Sequence, residues 1–295
     1  MKVRIGVAAG AGLTSDTAHF LGLVDALDDL GYDSIWVPDV VTTPTADPIT
    51  ALAVAAGRRQ RVKLGTHLII PGREPVFLAK QLATLDQLSG GRLLLMAVLG
   101  LNQPAELASQ GVVARERTTM LEESLDIMRT LWKGDELNHH GKHYSYEGVR
   151  LAVVPDQNPL EVWLGGQVPA ALRRAGRLAE GWMPGLVTPE EAAEMRVVIE
   201  AEAEAAGRVI DSEHFGMNIS WSHGAITDDL RAGIAARRSD LVAEEVIGVG
   251  VDGLAARINA FLAVGFSKFV IRPAQQPESW PDSVAAVASI LELQT

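Results

Sequence analysis

Short apolar runs alternate along the chain with longer segments whose apolar positions recur every three to four residues. Parallel strands joined by crossover helices produce this rhythm: a strand buried on both faces reads as a continuous apolar run, and a covering helix shows one apolar stripe. Val3 to Ala8 is the first run. Gly10-Ala11-Gly12 breaks it, and Thr14 or Ser15 is placed to cap a helix with Phe20, Leu23, Val24, Leu27 and Leu30 on one face and Gly31 at its end. Ser34 to Val37 reads as the second strand. Pro48 opens a helix to Arg58, and Val62 to Ile70 is the third strand, before the turn Pro71-Gly72-Arg73-Glu74. A helix from Pro75 through Leu88 follows, closed by Gly90-Gly91. Then come a fourth strand, Arg92 to Val98, an irregular stretch, and a helix from Arg115 to Leu131.

Residues 134 to 160 depart from the rhythm. Gly134, Gly141, Gly148 and Pro155 punctuate short His-, Tyr- and Val-containing runs that read as a hairpin insertion. The alternation resumes with a strand Glu161 to Leu164, a helix Pro169 to Leu178, a short strand Gly181 to Met183 and a helix Pro189 to Ala206. Phe215 to Trp221 is the seventh strand, and Thr227 to Val246 is polar and partly helical. Asp252 reads as the N-cap of a helix to Val264, Lys268 to Ile271 as the eighth strand, and Ser279 to Leu293 as the last helix. Eight strands each followed by a helix, without a low-complexity linker, predict an α/β fold: a single (β/α)₈ TIM barrel over residues 1–295. The alternative is a doubly wound sheet.

Charge and composition then narrow the partners. Thirty-seven acidic residues against 26 Lys and Arg give a formal charge of −11, which repels a phosphate backbone and an anionic membrane surface. Cysteine is absent, which excludes disulfides, thiolate nucleophiles and cysteine-based metal sites. The N-terminal run contains Lys2 and Arg4 and lacks the long apolar core of a signal peptide, so a cytoplasmic protein is expected. The expected partners are a small-molecule substrate and a second copy of the chain in a homodimer, with neither nucleic acid nor membrane.

In such a barrel the chemistry sits at the carboxyl ends of the strands. Gly165-Gly166-Gln167-Val168-Pro169 places a glycine pair between a strand and a helix, which suits either a phosphate on the helix-start amides or a plain tight turn. In Leu64-Gly65-Thr66-His67-Leu68, Gly65 marks a bulge or the close approach of another group, and His67 is a site residue or a satisfied core histidine. Asp39 follows Trp36-Val37-Pro38 and would orient a ligand, act as a base or cap the next segment. His139, His140 and His143 suggest zinc, but they lie in the hairpin without a carboxylate and read as a solvated turn; no metal is expected. No Gly-x-Ser-x-Gly or paired-carboxylate spacing supports nucleophilic hydrolysis.

Several stretches together resemble the luciferase-like monooxygenase superfamily. They are Gly31-Tyr32-Asp33-Ser34-Ile35-Trp36-Val37-Pro38-Asp39, Leu64-Gly65-Thr66, the run from Pro75 through Leu88-Ser89-Gly90-Gly91-Arg92, Val162-Trp163-Leu164-Gly165-Gly166 and Glu180-Gly181-Trp182-Met183-Pro184. The likeness is strongest to its actinobacterial, probable coenzyme F420-dependent branch. The resemblance implies a TIM barrel that binds F420, or alternatively FMN, at the strand ends, with the phosphate near Gly165 to Val168. It also implies a cis peptide at His67-Leu68, a bond that costs about 3–4 kcal/mol and needs enforcing surroundings. The cofactor set so reached is Asp39, Thr66, His67, Leu68, Ile70, Leu99, Gly100, Asn102, Gly165, Gly166, Gln167 and Val168, with Asp39 and His67 as catalytic candidates. Sugar-phosphate dehydrogenases of the superfamily carry His after the strand-two Asp and Glu soon after strand four. Here those neighbourhoods read Asp39-Val40 and Gly100-Leu101-Asn102, so that proton-transfer pair is expected to be missing. The implied activity is hydride transfer to or from a small organic substrate. An FMN-dependent monooxygenase and a cofactor-binding protein without turnover are the alternatives.

Overall fold

A computed structural model describes residues 1–10, 13 and 17–294; the expected break at Ala11-Gly12 and caps Thr14 and Ser15 lie outside the described residues. In chain order the elements begin with β1 (Arg4–Ala8), α1 (Thr17–Leu30), β2 (Ser34–Pro38), α2 (Pro48–Arg58), β3 (Lys63–Ile69), α3 (Pro75–Ser89) and β4 (Leu93–Val98). Next are α4 (Pro104–Gln110), α5 (Arg117–Trp132), β5 (Leu137–His140), β6 (Ser145–Val149), β7 (Val162–Leu164), α6 (Pro169–Leu178), β8 (Gly181–Trp182) and α7 (Pro189–Ala205). The chain ends with β9 (Gly216–Ser222), α8 (Asp228–Ala235), β10 (Ile247–Val249), α9 (Gly250–Ala263), β11 (Lys268–Pro273) and α10 (Trp280–Ala286).

Nine strands form one parallel sheet in the order β10-β9-β11-β1-β2-β3-β4-β7-β8. From β1 the order follows the chain without the reversal of a doubly wound sheet. The sheet curls until its β8 side meets β9: Trp182 bridges Phe215 and Gly185 bridges Asn218. β5 and β6 form a separate antiparallel pair. Glu123 of α5 holds that pair, accepting from the amides of His143 and Tyr144 at 3.0 and 2.9 Å.

Local chemistry sets several element ends where the sequence placed them. Asp47 caps α2 by accepting from the Thr50 amide at 2.9 Å, with Pro48 in the first turn, and Gly90 closes α3 in the left-handed conformation. Four expectations need correction. The irregular stretch after β4 contains α4, framed by Pro104 and by Gly111 at φ +65°. β10 occupies the end of the polar stretch, alongside β9. α9 starts at Gly250, so Asp252 lies in its first turn rather than at its cap. The last helix stops at Ala286 and gives way to a 3₁₀ turn over Ala288–Leu293. Tertiary contacts explain that break: Ile290 is buried, and Gln294 accepts from Ile5 N and donates to Gly31 O.

Alternate strand positions face the inside of the curl. Ala8, Trp36, Met96, Trp163, Met183 and Val270 pack there as one buried cluster, while residues such as Ile5, Val7, Leu64, Leu68 and Ile271 belong to the larger layer that includes the helices. Two indoles fill most of the inner cluster. Trp36 is paired in register with Gly65, and Trp163 with Gly181; a Cβ on either glycine would overlap the neighbouring indole. Overpacking of this kind typically costs about 1–3 kcal/mol. Gly65→Ala and Gly181→Ala are each expected to lower unfolding free energy by about that amount, measured by urea denaturation followed at the tryptophan fluorescence.

Candidate functional site

The carboxyl ends of the strands gather a mouth of mixed polarity. From β3, His67 points inward beside Trp36, with their ring centroids 5.1 Å apart. From β9 come Asn218 and Ser220, and from β11 Arg272, whose Nε donates to Ser220 Oγ at 3.4 Å. Burial and the Arg272 charge push the His67 imidazole down to about 4 against a weaker opposing hydrogen bond with Asn218, so it is neutral at pH 7. Arg272 has no carboxylate within ion-pair distance among the described residues, and burial together with the Arg237 charge holds its guanidinium below the ordinary arginine range. The centre of the mouth therefore carries a neutral ring and a positive charge.

Asp39 has a different job from the one its strand-end position suggests. Its side chain is only 6% exposed, and Oδ2 accepts from the Ile69 amide at 3.0 Å and from Arg73 Nη2 at 2.9 Å. Arg73 Nε in turn donates to Ile69 O at 3.0 Å. The carboxylate ties the end of β2 to the turn that leads into α3, and the Asp39 amide donates to His67 O at 3.2 Å. It positions the strand carrying His67.

The other predicted residues divide by strand face. Thr66, Leu68 and Ile70 are fully buried on the face opposite His67, and Leu68 and Ile70 pack in the layer that includes the helices. His67-Leu68 is not a cis peptide: among the described residues the only cis bond is Asn158-Pro159. β3 stays in continuous register with β2 through His67 and with β4 through Ile69, which leaves no bulge. Gly65 answers instead to the close approach of the Trp36 ring. Leu99, Gly100 and Asn102 line a loop wrapped around Arg117 of α5. That guanidinium donates to the carbonyls of Leu99, Gly100 and Leu101 at 3.1–3.3 Å and to Asn102 Oδ1 at 3.2 Å.

At the opposite wall, Gly165 is crowded by Met96 and the Met183 carbonyl, and Gly166 has φ +97° with Ala171 close behind. Packing and backbone conformation thus account for this glycine pair. The start of α6 remains open: Val168 supplies no side-chain cap and is 64% exposed, and the amides of Gln167, Val168 and Ala170 have no acceptor among the described residues. Gln167 reaches across to Gly185 O and accepts from Arg238 at 3.4 Å.

Sequence reasoning missed Arg73, Glu106, Arg117, Asn218 and Arg272. Glu106 of α4 corrects the expected lack of an acid after strand four. It is fully buried and accepts from Thr42 N at 2.7 Å, Thr42 Oγ1 at 2.5 Å and Val41 N at 3.4 Å. Burial pushes its carboxyl up, but these three donors outweigh it and hold the group below the usual range, so it stays ionised as a tie between two mouth loops. Pro104 and Gly111, framing a helix-length segment, are the sequence signal that could have found it. The hairpin histidines have separate partners: His139 meets Glu123 at 3.0 Å, His143 meets Thr119 at 2.8 Å, and His140 meets Ser145 at 3.0 Å. Among the described residues no group of three His, Asp or Glu is placed to hold a metal.

Two outcomes follow. Asp39→Asn is expected to cost about 1.5–3 kcal/mol, the range for a hydrogen bond to a charged partner, as a fall in urea midpoint at unchanged slope. For His67, a folded pKa near 4 below an ordinary 6.5 means that the unfolded chain binds the extra proton between those values. The resulting stability is complete above about pH 6.5 and is lost as pH falls toward 4. His67→Gln should flatten the stability curve in that window, by at most about 3 kcal/mol; denaturation at pH 4.5 and 7 checks it.

Among the described residues no helix is long and apolar enough to cross a membrane. An uncharacterized protein of Mycobacterium tuberculosis is 29% identical over 221 residues, covering 66% of this chain and 74% of its own. The F420-dependent tetrahydromethanopterin reductase of Methanopyrus kandleri superposes with TM-score 0.79 at 18% identity, covering 98% of both chains. The oxygenating constituent of 3,6-diketocamphane monooxygenase from Pseudomonas putida, solved with FMN, superposes with TM-score 0.77 at 20% identity, covering 99% of this chain and 97% of its own. These likenesses show that the curled sheet shares the fold of these two proteins. The model of the luciferase-like monooxygenase family matches residues 2–250, and the chain belongs to that family.

Proposed function

We propose that this (β/α)₈ barrel is an oxidoreductase that holds coenzyme F420 at its carboxyl-terminal mouth and moves a hydride between the cofactor and a small organic substrate. One observation carries the reading: Arg272 stands at that mouth without a carboxylate partner among the described residues, in a chain of net charge −11. A guanidinium at the opening of the barrel, with no acid beside it among the described residues, attracts an anionic ligand. The residues present fit such a group. Ser222 Oγ, at the end of β9, is buried without a hydrogen-bond partner, and the open amides at the start of α6 suit a phosphate.

Arg272, Asn218 and Ser220 would hold the cofactor on one side and the α6 amides on the other. F420 supplies two-electron hydride chemistry when bound, so the protein's work is to align two reactants and exclude water. Trp36 and His67 give an uncharged wall. At pH 7 the His67 imidazole is neutral and exchanges hydrogen bonds without delivering a charge. Asp39 and Glu106, each occupied by its own donors, keep the surrounding loops in place.

FMN is the second reading, because a solved structure with this fold carries it. Fluorescence titration with each cofactor distinguishes the two. F420 is expected to bind at least tenfold more tightly than FMN, about 1.4 kcal/mol. Arg272→Met should weaken F420 binding at least about tenfold while leaving the urea midpoint near that of the parent. A tenfold preference for FMN would reverse the assignment, and undiminished F420 affinity in Arg272→Met would place the anion elsewhere.

A further inference from the structure

The opposite end of the curled sheet holds a cavity of about 240 Å³ that the proposed cofactor does not use. Its inner walls are apolar: Trp36, Trp163, Leu94, Met183 and Val270. Both indoles are fixed before anything binds. Trp36 Nε1 donates to Ser34 Oγ at 3.0 Å and its ring lies against Gly65; Trp163 Nε1 donates to Glu161 Oε2 at 3.4 Å and its ring lies against Gly181. With each N–H engaged, what the two side chains leave for an occupant is their rings. The polar groups at the lip are engaged with one another. Asp33 meets Arg4 Nε at 3.3 Å and Lys63 Nζ at 3.1 Å, and Lys268 Nζ lies 3.7 Å from Glu213 and donates to Lys2 O at 3.1 Å. Glu161 also stands 3.7 Å from His214, and Gln157 Nε2 donates to Asp86 Oδ1 at 2.6 Å and to Leu93 O at 2.9 Å. An incoming charge of either sign would break one of these contacts or lie unpaired against the apolar walls, and both are costly.

We propose that this amino-terminal cavity is a second binding site, for one small uncharged arene whose ring packs against Trp36 and Trp163. Size admits it, since an apolar cavity of about 150 Å³ already takes up a benzene. The walls select a flat aromatic body over a saturated one, because ring faces and edges pair well with a second aromatic and the Met183 thioether adds a polarisable contact. Little has to be ordered on binding, since each indole is held by its own hydrogen bond and by the glycine beneath it. Trp36 is shared between the two ends. Its ring forms part of this cavity and also stands 5.1 Å from His67 at the mouth, so an occupant below touches a residue that contacts the site above.

Toluene is the probe, with benzoate, benzylamine and methylcyclohexane as anionic, cationic and saturated counterparts. In nitrogen-15 spectra of the whole chain, toluene is expected to shift the indole N–H signals of Trp36 and Trp163 saturably, at one site per chain, with nuclear Overhauser contacts from its ring protons to both indoles. Trp280, at the start of α10, should stay unmoved. Each of the three counterparts should bind at least about tenfold more weakly than toluene. Leu94→Phe, which fills the cavity from its β4 wall, should weaken toluene at least about tenfold; if that variant does not fold, the Overhauser contacts in the parent chain decide the location. Saturating F420 or FMN should leave toluene affinity within a few-fold, whichever cofactor the mouth prefers. Equal or tighter binding of benzoate, benzylamine or methylcyclohexane, unchanged toluene affinity in folded Leu94→Phe, absent contacts to the two indoles, displacement of toluene by cofactor, or no saturable response up to the solubility of toluene would each overturn the proposal.

Discussion

Two indoles lying on glycines fill the middle of the curled sheet, and both ends of the molecule depend on that packing. Trp36 occupies the space that a side chain at position 65 would need, and Trp163 the space at position 181. Met96, Met183 and Val270 close around them. This cluster stands between the two ends of the barrel. One end presents a neutral ring and a guanidinium with no carboxylate beside it among the described residues, while the other gathers lysines.

Around the cluster, the mouth is shaped by charged side chains that bind backbone. Asp39 reaches the Ile69 amide, Glu106 the amides of residues 41 and 42, and Arg117 three successive carbonyls. Each charge is compensated by several oriented dipoles, which makes burial tolerable and fixes a loop in one path. The titratable groups that look catalytic by position are largely consumed by this work. What is left facing the opening is His67, Arg272 and the polar edge of β9.

The fold was legible in the sequence wherever its cause is local. Pro48 and Pro169 mark helix starts through their fixed φ, and Gly90 marks an end through its positive φ, so α2, α3 and α6 could be placed closely. Elements decided by distant contacts were not legible. β10 needs β9 beside it, and the 3₁₀ turn after α10 follows from Gln294 reaching Ile5 and Gly31 across the chain. The same division holds at the site. His67 and Asp39 could be found as polar residues at strand ends, but the role of Asp39 comes from Arg73, 34 positions away. Arg272 gains its character from having no acid beside it among the described residues, which no local pattern records. Gly65 was read as a bulge or a point of close approach; the strand has no bulge, and the approaching group is an indole of the protein's own core.

Arg117 grips carbonyl oxygens at Leu99, Gly100 and Leu101, and carbonyls are common to all amino acids. The path of this rim is therefore insulated from the identity of the side chain at position 101, which is exposed. A lineage that kept Arg117 could replace that side chain repeatedly, each time reshaping the rim while the backbone stayed in register. Diversification within such a scaffold then becomes a matter of repainting one wall, with the anchor that holds the wall buried beyond the reach of selection on substrate.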